Sequence, residues 1–332
     1  CSDEQIKQLQ RKLEEKQVNW YQIDFSRNIG RIGQNIKAYH QVKKILLDNN
    51  YTFLHCHSPI GGVVGRIAGH NTNTEVIYTA HGFHFYKGAP KKNWMAFYPI
   101  EKYLSKYTDV LITINKEDYA LAKEKMNAKK TIYVPGVGVD LDKFGSHKTD
   151  RKEKRVEFQI PDDKIWLLNV GELRPIKNQE PLIRVIRDFP NVYLTIVGRG
   201  ELDEKFNALI QELGLQDRVK LLGFRTDISE LCEACDVFAF PSFREGLSVA
   251  LMEAMACGKP VICSNIRGNI DLVDLNGGEL FNPYSYEELK GALEKILTRN
   301  LDMLGNYNAH KIKKFDLNSV LEVMKEIYGK YK

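Results

Sequence analysis

Short apolar runs alternate with helix-period segments along most of the chain, which is the sequence form of parallel α/β layers. Residues 53–56, 76–79, 110–113 and 131–134 predict the strands of a first unit. A second series, 166–170, 193–197, 219–222, 237–240 and 260–263, predicts another, and the charged, apolar-poor stretch 146–154 between them predicts a linker. Two open α/β sheets bind ligands outside the carboxyl ends of their strands, so two such units predict a cleft between them.

The densest chemistry lies in residues 243–260. Strong helix formers run from Ser248 to Cys257 without Gly or Pro, Pro241 and Gly246 mark a turn before them, and Gly258-Lys259-Pro260 ends the run. Glu245 is expected just ahead of a helix and Glu253 about two turns inside it, about 10 Å apart along the axis. The unpaired N–H groups and positive dipole end of the first turn suit a pyrophosphate. Each carboxylate can accept hydrogen bonds from vicinal sugar hydroxyls. Taken singly, either glutamate fits the solvated face of an amphipathic helix. Taken together, the residues point to a sugar nucleotide, with one carboxylate for a hexose and the other for a ribose.

This turn, the Glu-Gly pair, the second Glu eight positions on and the continuation Ala254-Met255-Ala256-Cys257-Gly258-Lys259-Pro260 resemble the retaining nucleotide-sugar glycosyltransferases of family 4. Thr79-Ala80-His81-Gly82-Phe83-His84-Phe85, Asp109-Val110-Leu111-Ile112-Thr113-Ile114-Asn115 and Val134-Pro135-Gly136-Val137-Gly138-Val139-Asp140 look most like its bacterial capsule and exopolysaccharide branch. The resemblance implies the GT-B fold, two Rossmann-like domains facing each other across a cleft. Residues 1–145 would be the acceptor-binding domain, 146–315 the nucleotide-sugar-binding domain, and 316–332 a last helix crossing back onto the first. Set against the family pattern, the sequence opens at Cys1 and reaches a helical segment, 4–16, at once, so the expectation is an N-terminal domain without the family's first strand, Gly-rich turn and first helix in this sequence.

The resemblance also implies roles. Lys177 matches a lysine that contacts the donor diphosphate, in a loop opened by Gly171. Many relatives carry arginine directly after that glycine; Glu172 stands there in this chain, and Arg174 is the substitute candidate because its planar fork can hold phosphate. His81 matches a histidine that faces the donor sugar. Glu245 would hold the hexose hydroxyls and Glu253 those of the ribose, with Gly246, Leu247 and Ser248 forming the helix start around the donor. Gly198 and Arg199 would let a turn approach the donor, and Gly223 with Phe224 would frame the base, although structural turns explain both segments equally well. A dinucleotide fingerprint is excluded because Asp203 occupies its last glycine position. Ser58, Gly61 and Gly62, in a strand-to-helix turn open to close backbone approach, are the acceptor candidates. Lys87, Lys91 and Lys92 beside Trp94, Phe97 and Tyr98 fit either a membrane interface with a lipid diphosphate or ordinary core packing.

Composition narrows the alternatives. The 332 residues, 43% hydrophobic, can bury two cores. Residues 1–150 carry 22 basic against 15 acidic side chains, and residues 151–332 carry 26 against 28. That asymmetry fits a solvated lysine surface, an anionic membrane or a polyprenyl-pyrophosphate substrate. No nucleic-acid partner is expected, because the basic residues are scattered and no nucleic-acid-binding motif accompanies them. No apolar stretch approaches the roughly 18 residues of a membrane span, and no signal-peptide pattern opens the chain. Six dispersed cysteines suit a reducing compartment, so the expected location is cytoplasmic, peripheral on the inner membrane face. Cys232-x-x-Cys235 lacks a second close pair and reads as a helix end rather than a zinc site. No Asp-x-Asp motif falls in a plausible metal site, so neither cofactor nor divalent ion is expected. What the resemblance implies is a retaining transferase moving a hexose or N-acetylhexosamine from a UDP-sugar to a lipid-linked saccharide. A silent sugar-nucleotide-binding subunit, or a GT-B epimerase or hydrolase, is the alternative.

Overall fold

The structure, a computed structural model, describes residues 3–26, 30–145 and 149–331. Two parallel sheets organise it. The first holds β1 (Phe53–His57), β2 (Glu75–Ala80), β3 (Val110–Thr113) and β4 (Lys130–Tyr133), in that order. The second holds β5 (Ile165–Val170), β6 (Val192–Val197), β7 (Val219–Leu221), β8 (Val237–Phe240), β9 (Val261–Ser264) and β10 (Gly278–Phe281), in the order β10-β9-β8-β5-β6-β7. Every strand expected from the apolar runs is present, whereas β10 was not foreseen. Its sequence Gly-Glu-Leu-Phe carries an acid, which Arg299 neutralises at 2.7 Å.

In the second sheet the strand order reverses between β5 and β8. The connections after these two strands run to opposite sides and leave a crevice at their carboxyl ends. Helix Val249–Ala256 starts there, capped by Ser248, whose Oγ accepts from Leu251 N at 3.2 Å.

One expectation is corrected. Residues 146–148 of the expected linker lie outside the described residues, but Arg151–Glu157 is a helix, capped by Asp150. Two of its charges are not solvated: Arg155 is buried with Nη1 3.1 Å from Asp236, and Lys154 meets Asp227 at 2.9 Å and Glu230 at 2.7 Å. The acids that satisfy this helix lie some seventy or more residues away, beyond the reach of local patterning.

The last helix, Leu317–Gly329, packs on the first sheet. Val320 and Ile327 are buried with Ile77 and Ile112, and Tyr328 stacks on Phe53 with ring centroids 5.2 Å apart. The chain enters it through paired backbone, Val139 N donating to Phe315 O and Leu317 N to Val139 O. Helix Pro59–Thr72 lies close on β1 and β2 because its inner face is glycine. A Cβ at Gly62, Gly65 or Gly69 would meet Tyr78, Cys56 or Val76 at 2.5 Å or less. The five described cysteines are buried and unbridged, Cys232 and Cys235 among them.

Candidate active site

The loop after β5 is shaped by fixed backbone rather than by its charges. Pro175–Lys177 forms a single 3₁₀ turn that ends on Asn178 in the left-handed region, at φ 55°. Asn178 Nδ2 donates to Pro241 O at 3.0 Å and Pro283 O at 3.1 Å, tying the turn to the loop after β8. Lys177 therefore faces that second loop, and its Nζ lies 2.7 Å from Glu245 Oε1. Both side chains are largely covered, at 23% and 14% exposure, so the ion pair is held in place rather than solvated.

Gly246 follows, and only glycine fits. A Cβ there would stand 1.9 Å from the carbonyl oxygen of His81, which belongs to the other domain. Gly82, at φ 129°, and Gly268, at φ 79°, close on the same residue from either side. Leu247 packs toward Gly136, where a Cβ would meet its Cδ2 at 2.6 Å. Glu253 sits a little over one turn into the helix, not two, because the first helical residue is Val249. Burial pushes its carboxyl up to about 7, with Lys143 opposing that rise, and among the described residues its carboxylate has no hydrogen-bond partner.

On the facing edge, β1 and β2 end side by side and bring His57 and His81 together, Nδ1 to Nε2 at 2.9 Å. Desolvation lowers the pKa of both imidazoles, and the charge of His57 lowers that of His81 further. Behind them His55 is pushed down to about 4, mainly by burial, with Nδ1 2.7 Å from Tyr328 Oη and Nε2 2.8 Å from Thr79 Oγ1. Ser58, at φ 65°, turns the chain into helix Pro59–Thr72, and Gly61 N and Gly62 N donate to its Oγ and carbonyl oxygen. The acceptor candidates Ser58, Gly61 and Gly62 thus form one helix start beside His57.

The remaining candidates form a layer, not a cluster. Gly171 N donates to Val197 O, Gly198 N to Gly223 O and Leu173 N to Arg199 O, which binds the loops after β5, β6 and β7 to each other. A Cβ at Gly198 would lie 2.0 Å from Gly171 O, so this glycine is required by packing between loops. Phe224 is 68% exposed at the end of that layer. The Arg174 side chain is exposed and, among the described residues, pairs with Glu172 at 3.4 Å; only its backbone touches the Lys177–Glu245 pair, Arg174 O accepting from Lys177 N.

Arg267 carries no sequence signal, yet it spans both domains. Its Nη1 lies 2.5 Å from Asp118 Oδ1, Nη2 donates to Phe83 O at 2.7 Å, Nε donates to Glu245 O at 3.3 Å, and the guanidinium stands over the Tyr86 ring at 4.3 Å. Asp118 is fully buried and accepts from Phe83 N. No local pattern could have found it, because Asp118 is 149 residues away; His57 was visible only as the residue before Ser58. Among the described residues no group of His, Cys, Asp and Glu side chains is placed to hold a metal ion.

Residues 150–313 match the family described as Glycosyl transferases group 1, and residues 4–115 match Glycosyl transferase 4-like. The Bacillus subtilis (strain 168) protein EpsD, named as a glycosyltransferase, is 35% identical over 90% of this chain and 81% of its own length. The chain belongs to the GT4-like glycosyltransferases. This glycosyltransferase is also 35% identical, over 74% of its chain and 66% of the relative, to the Escherichia coli UDP-Gal:alpha-D-GlcNAc-diphosphoundecaprenol alpha-1,3-galactosyltransferase. Its fold is that of the Anabaena protein Alr3699/HepE solved in complex with UDP-glucose. The TM-score is 0.81 and the identity 22%, over 97% of this chain and 88% of the other. WaaG, a glycosyltransferase involved in lipopolysaccharide biosynthesis, superposes with a TM-score of 0.72 at 22% identity, over 93% and 86% of the two chains. The architecture of the glycosyltransferase is therefore GT-B, two Rossmann-like domains facing a cleft.

Proposed function

We propose that this glycosyltransferase transfers a hexose or N-acetylhexosamine from a UDP-sugar, with retention, to a lipid-linked saccharide in the synthesis of a cell-surface polysaccharide. The observation that carries the reading is the Lys177–Glu245 pair at the reversal point of the second sheet, with the His81 carbonyl packed against Gly246. In this reading the donor diphosphate lies at the Ser248-capped helix start. Lys177 swings from Glu245 to the leaving group, where its charge offsets the negative charge that develops as the sugar departs. Glu245 is thereby freed to accept hydrogen bonds from the hexose hydroxyls, and Glu253 accepts those of the ribose. His81 stands over the sugar, and the acceptor enters from the Ser58–Gly62 side. The 35% identity to a galactosyltransferase named for UDP-Gal and a diphosphoundecaprenol acceptor supports both substrate classes.

Calorimetric titration with UDP and a panel of UDP-sugars, followed by product analysis with a lipid-linked saccharide, tests the reading. The expected result is donor binding and a glycosidic product whose anomeric configuration, read by NMR, is that of the donor. Binding without turnover would assign a silent subunit, and UDP release without a new saccharide would assign a hydrolase. An inverted product would remove retention from the reading.

A further inference from the structure

Helix Pro59–Thr72 is apolar on the side that faces away from its sheet. Its glycines turn inward, and Ile60, Val63 and Ile67, at one-turn spacing, turn outward. Opposite them stand Ile32, Ile36 and Tyr39 of helix Ile32–Asp48 and Ile100 of helix Lys91–Ser105, and the three helices enclose a groove of about 380 Å³. Ile32, Ile36 and Ile100 are 66%, 51% and 47% exposed, so the groove is open. Its one acid, Glu101, is neutralised from beneath by the buried Arg66, Nη1 to Oε2 at 2.8 Å. Its other polar lining is engaged at the margin, Asn35 Oδ1 accepting from Ser26 N at 2.9 Å and Tyr39 Oη from Asn71 Nδ2 at 2.8 Å, so the walls between are apolar.

The groove does not end blindly. Pro59, Ile60 and Phe97 line it and also line a second cavity of about 560 Å³, whose other walls include His57, Ser58, Gly61 and His84. The apolar channel thus runs to the His57–His81 edge. Where the two cavities join, the charge is positive. Helix Lys91–Ser105 begins beside His84, since Asn93 Nδ2 donates to His84 O, and it opens with the exposed Lys91 and Lys92. Arg244 approaches closely enough for its charge to depress the His84 pKa, after desolvation. Among the described residues neither lysine nor Arg244 has an acidic partner.

We infer that the groove binds the isoprenoid chain of a diphosphate-linked saccharide acceptor. The apolar chain lies between Ile36, Val63 and Ile100, the diphosphate sits at the cationic junction by Ser58–Gly61, Lys91, Lys92 and Arg244, and the saccharide is presented to His57 and His81. The order apolar, cationic, catalytic along the channel matches the order chain, diphosphate, sugar along the ligand. This inference rests on the proposed transferase reading and specifies how its acceptor is held.

The test uses the full chain and three soluble probes: farnesyl diphosphate, inorganic diphosphate and UDP. Farnesyl diphosphate is expected to bind more than about a hundredfold tighter than inorganic diphosphate, since each buried methylene of its chain adds to the affinity. Ile36→Gln combined with Ile100→Gln should remove about tenfold or more of that preference while leaving UDP affinity unchanged; both side chains are already half exposed, so the fold tolerates the change. Equal binding of the two diphosphates by the unaltered protein, or an unchanged farnesyl preference in the double variant, overturns the groove assignment and leaves the donor reading intact. Loss of UDP binding by the unaltered protein sinks the donor reading instead. A concentration-dependent dimer that the double variant abolishes in sedimentation would give the groove to a second copy of the chain and also overturn the assignment.

Discussion

Arg267 Nη1 and Asp118 Oδ1 meet at 2.5 Å across the two domains, at 3% and 0% exposure. A buried ion pair stripped of one partner leaves an uncompensated charge, at a cost of about 3–5 kcal/mol. Arg267→Ala is therefore expected to lower the melting temperature and loosen the cleft. Because the donor-binding candidates lie on the second domain and His81 on the first, kcat should fall while UDP affinity holds. Small-angle scattering should show a larger radius of gyration for the variant. An unchanged radius with unchanged kcat would mean that the pair does not govern closure.

Lys177→Ala should leave the fold intact, since Asn178 rather than Lys177 fixes the turn. Removing the cation from the leaving group should cost about 10²–10³ in kcat. Wild-type turnover in this variant would disprove the leaving-group role. In the same assay a chelator is expected to change nothing, because in the proposed reading the charge on the diphosphate is met by Lys177 and a helix start; strong inhibition would show a metal requirement.

Glu253 predicts a proton balance. Its carboxyl is pushed up to about 7 by burial, so below that pH it is largely protonated, and ribose hydroxyls donate best to the ionised form. UDP binding at pH 6.5 should release a proton, and affinity should rise as pH increases toward 8. For stability the sign is opposite: the folded state binds this proton more tightly than the unfolded chain, so the contribution of Glu253 is lost as pH rises through about 7. Calorimetry in buffers of different ionisation enthalpy reads the proton, and Glu253→Gln should abolish it. Proton uptake would contradict the assignment.

His57 and His81 are both held below the usual imidazole range by desolvation and share one hydrogen bond. Transfer should stay flat from pH 8 down to about 6.5, the ordinary histidine value, and decline only below it. His57→Ala should raise the apparent pKa of that acid limb, because His81 then titrates without a neighbouring imidazole. An acid limb already above 6.5 in the unaltered protein would argue against a neutral pair.

The sequence alone determined the strands and the helix start at Ser248, because apolar alternation, a capping serine and the turn residues around Gly246 act over a few neighbouring positions. It also marked Lys177 and Glu245 as separate donor-site candidates, through the family resemblance. It missed β10, whose short apolar run is broken by Glu279, and it took 146–154 for linker although a helix opens at Arg151, because the partners of that helix are distant in the chain. Only the tertiary structure decided that Gly246 abuts the His81 carbonyl, that His57 and His81 stand as a pair at the cleft, and that Arg267 closes on Asp118. These are contacts between strand ends and loops that the chain brings together only once both sheets are wound. Burial then supplies what local sequence cannot, a carboxyl held near pH 7 and imidazoles held neutral, because desolvation depends on everything packed around a group and not on its neighbours in the chain.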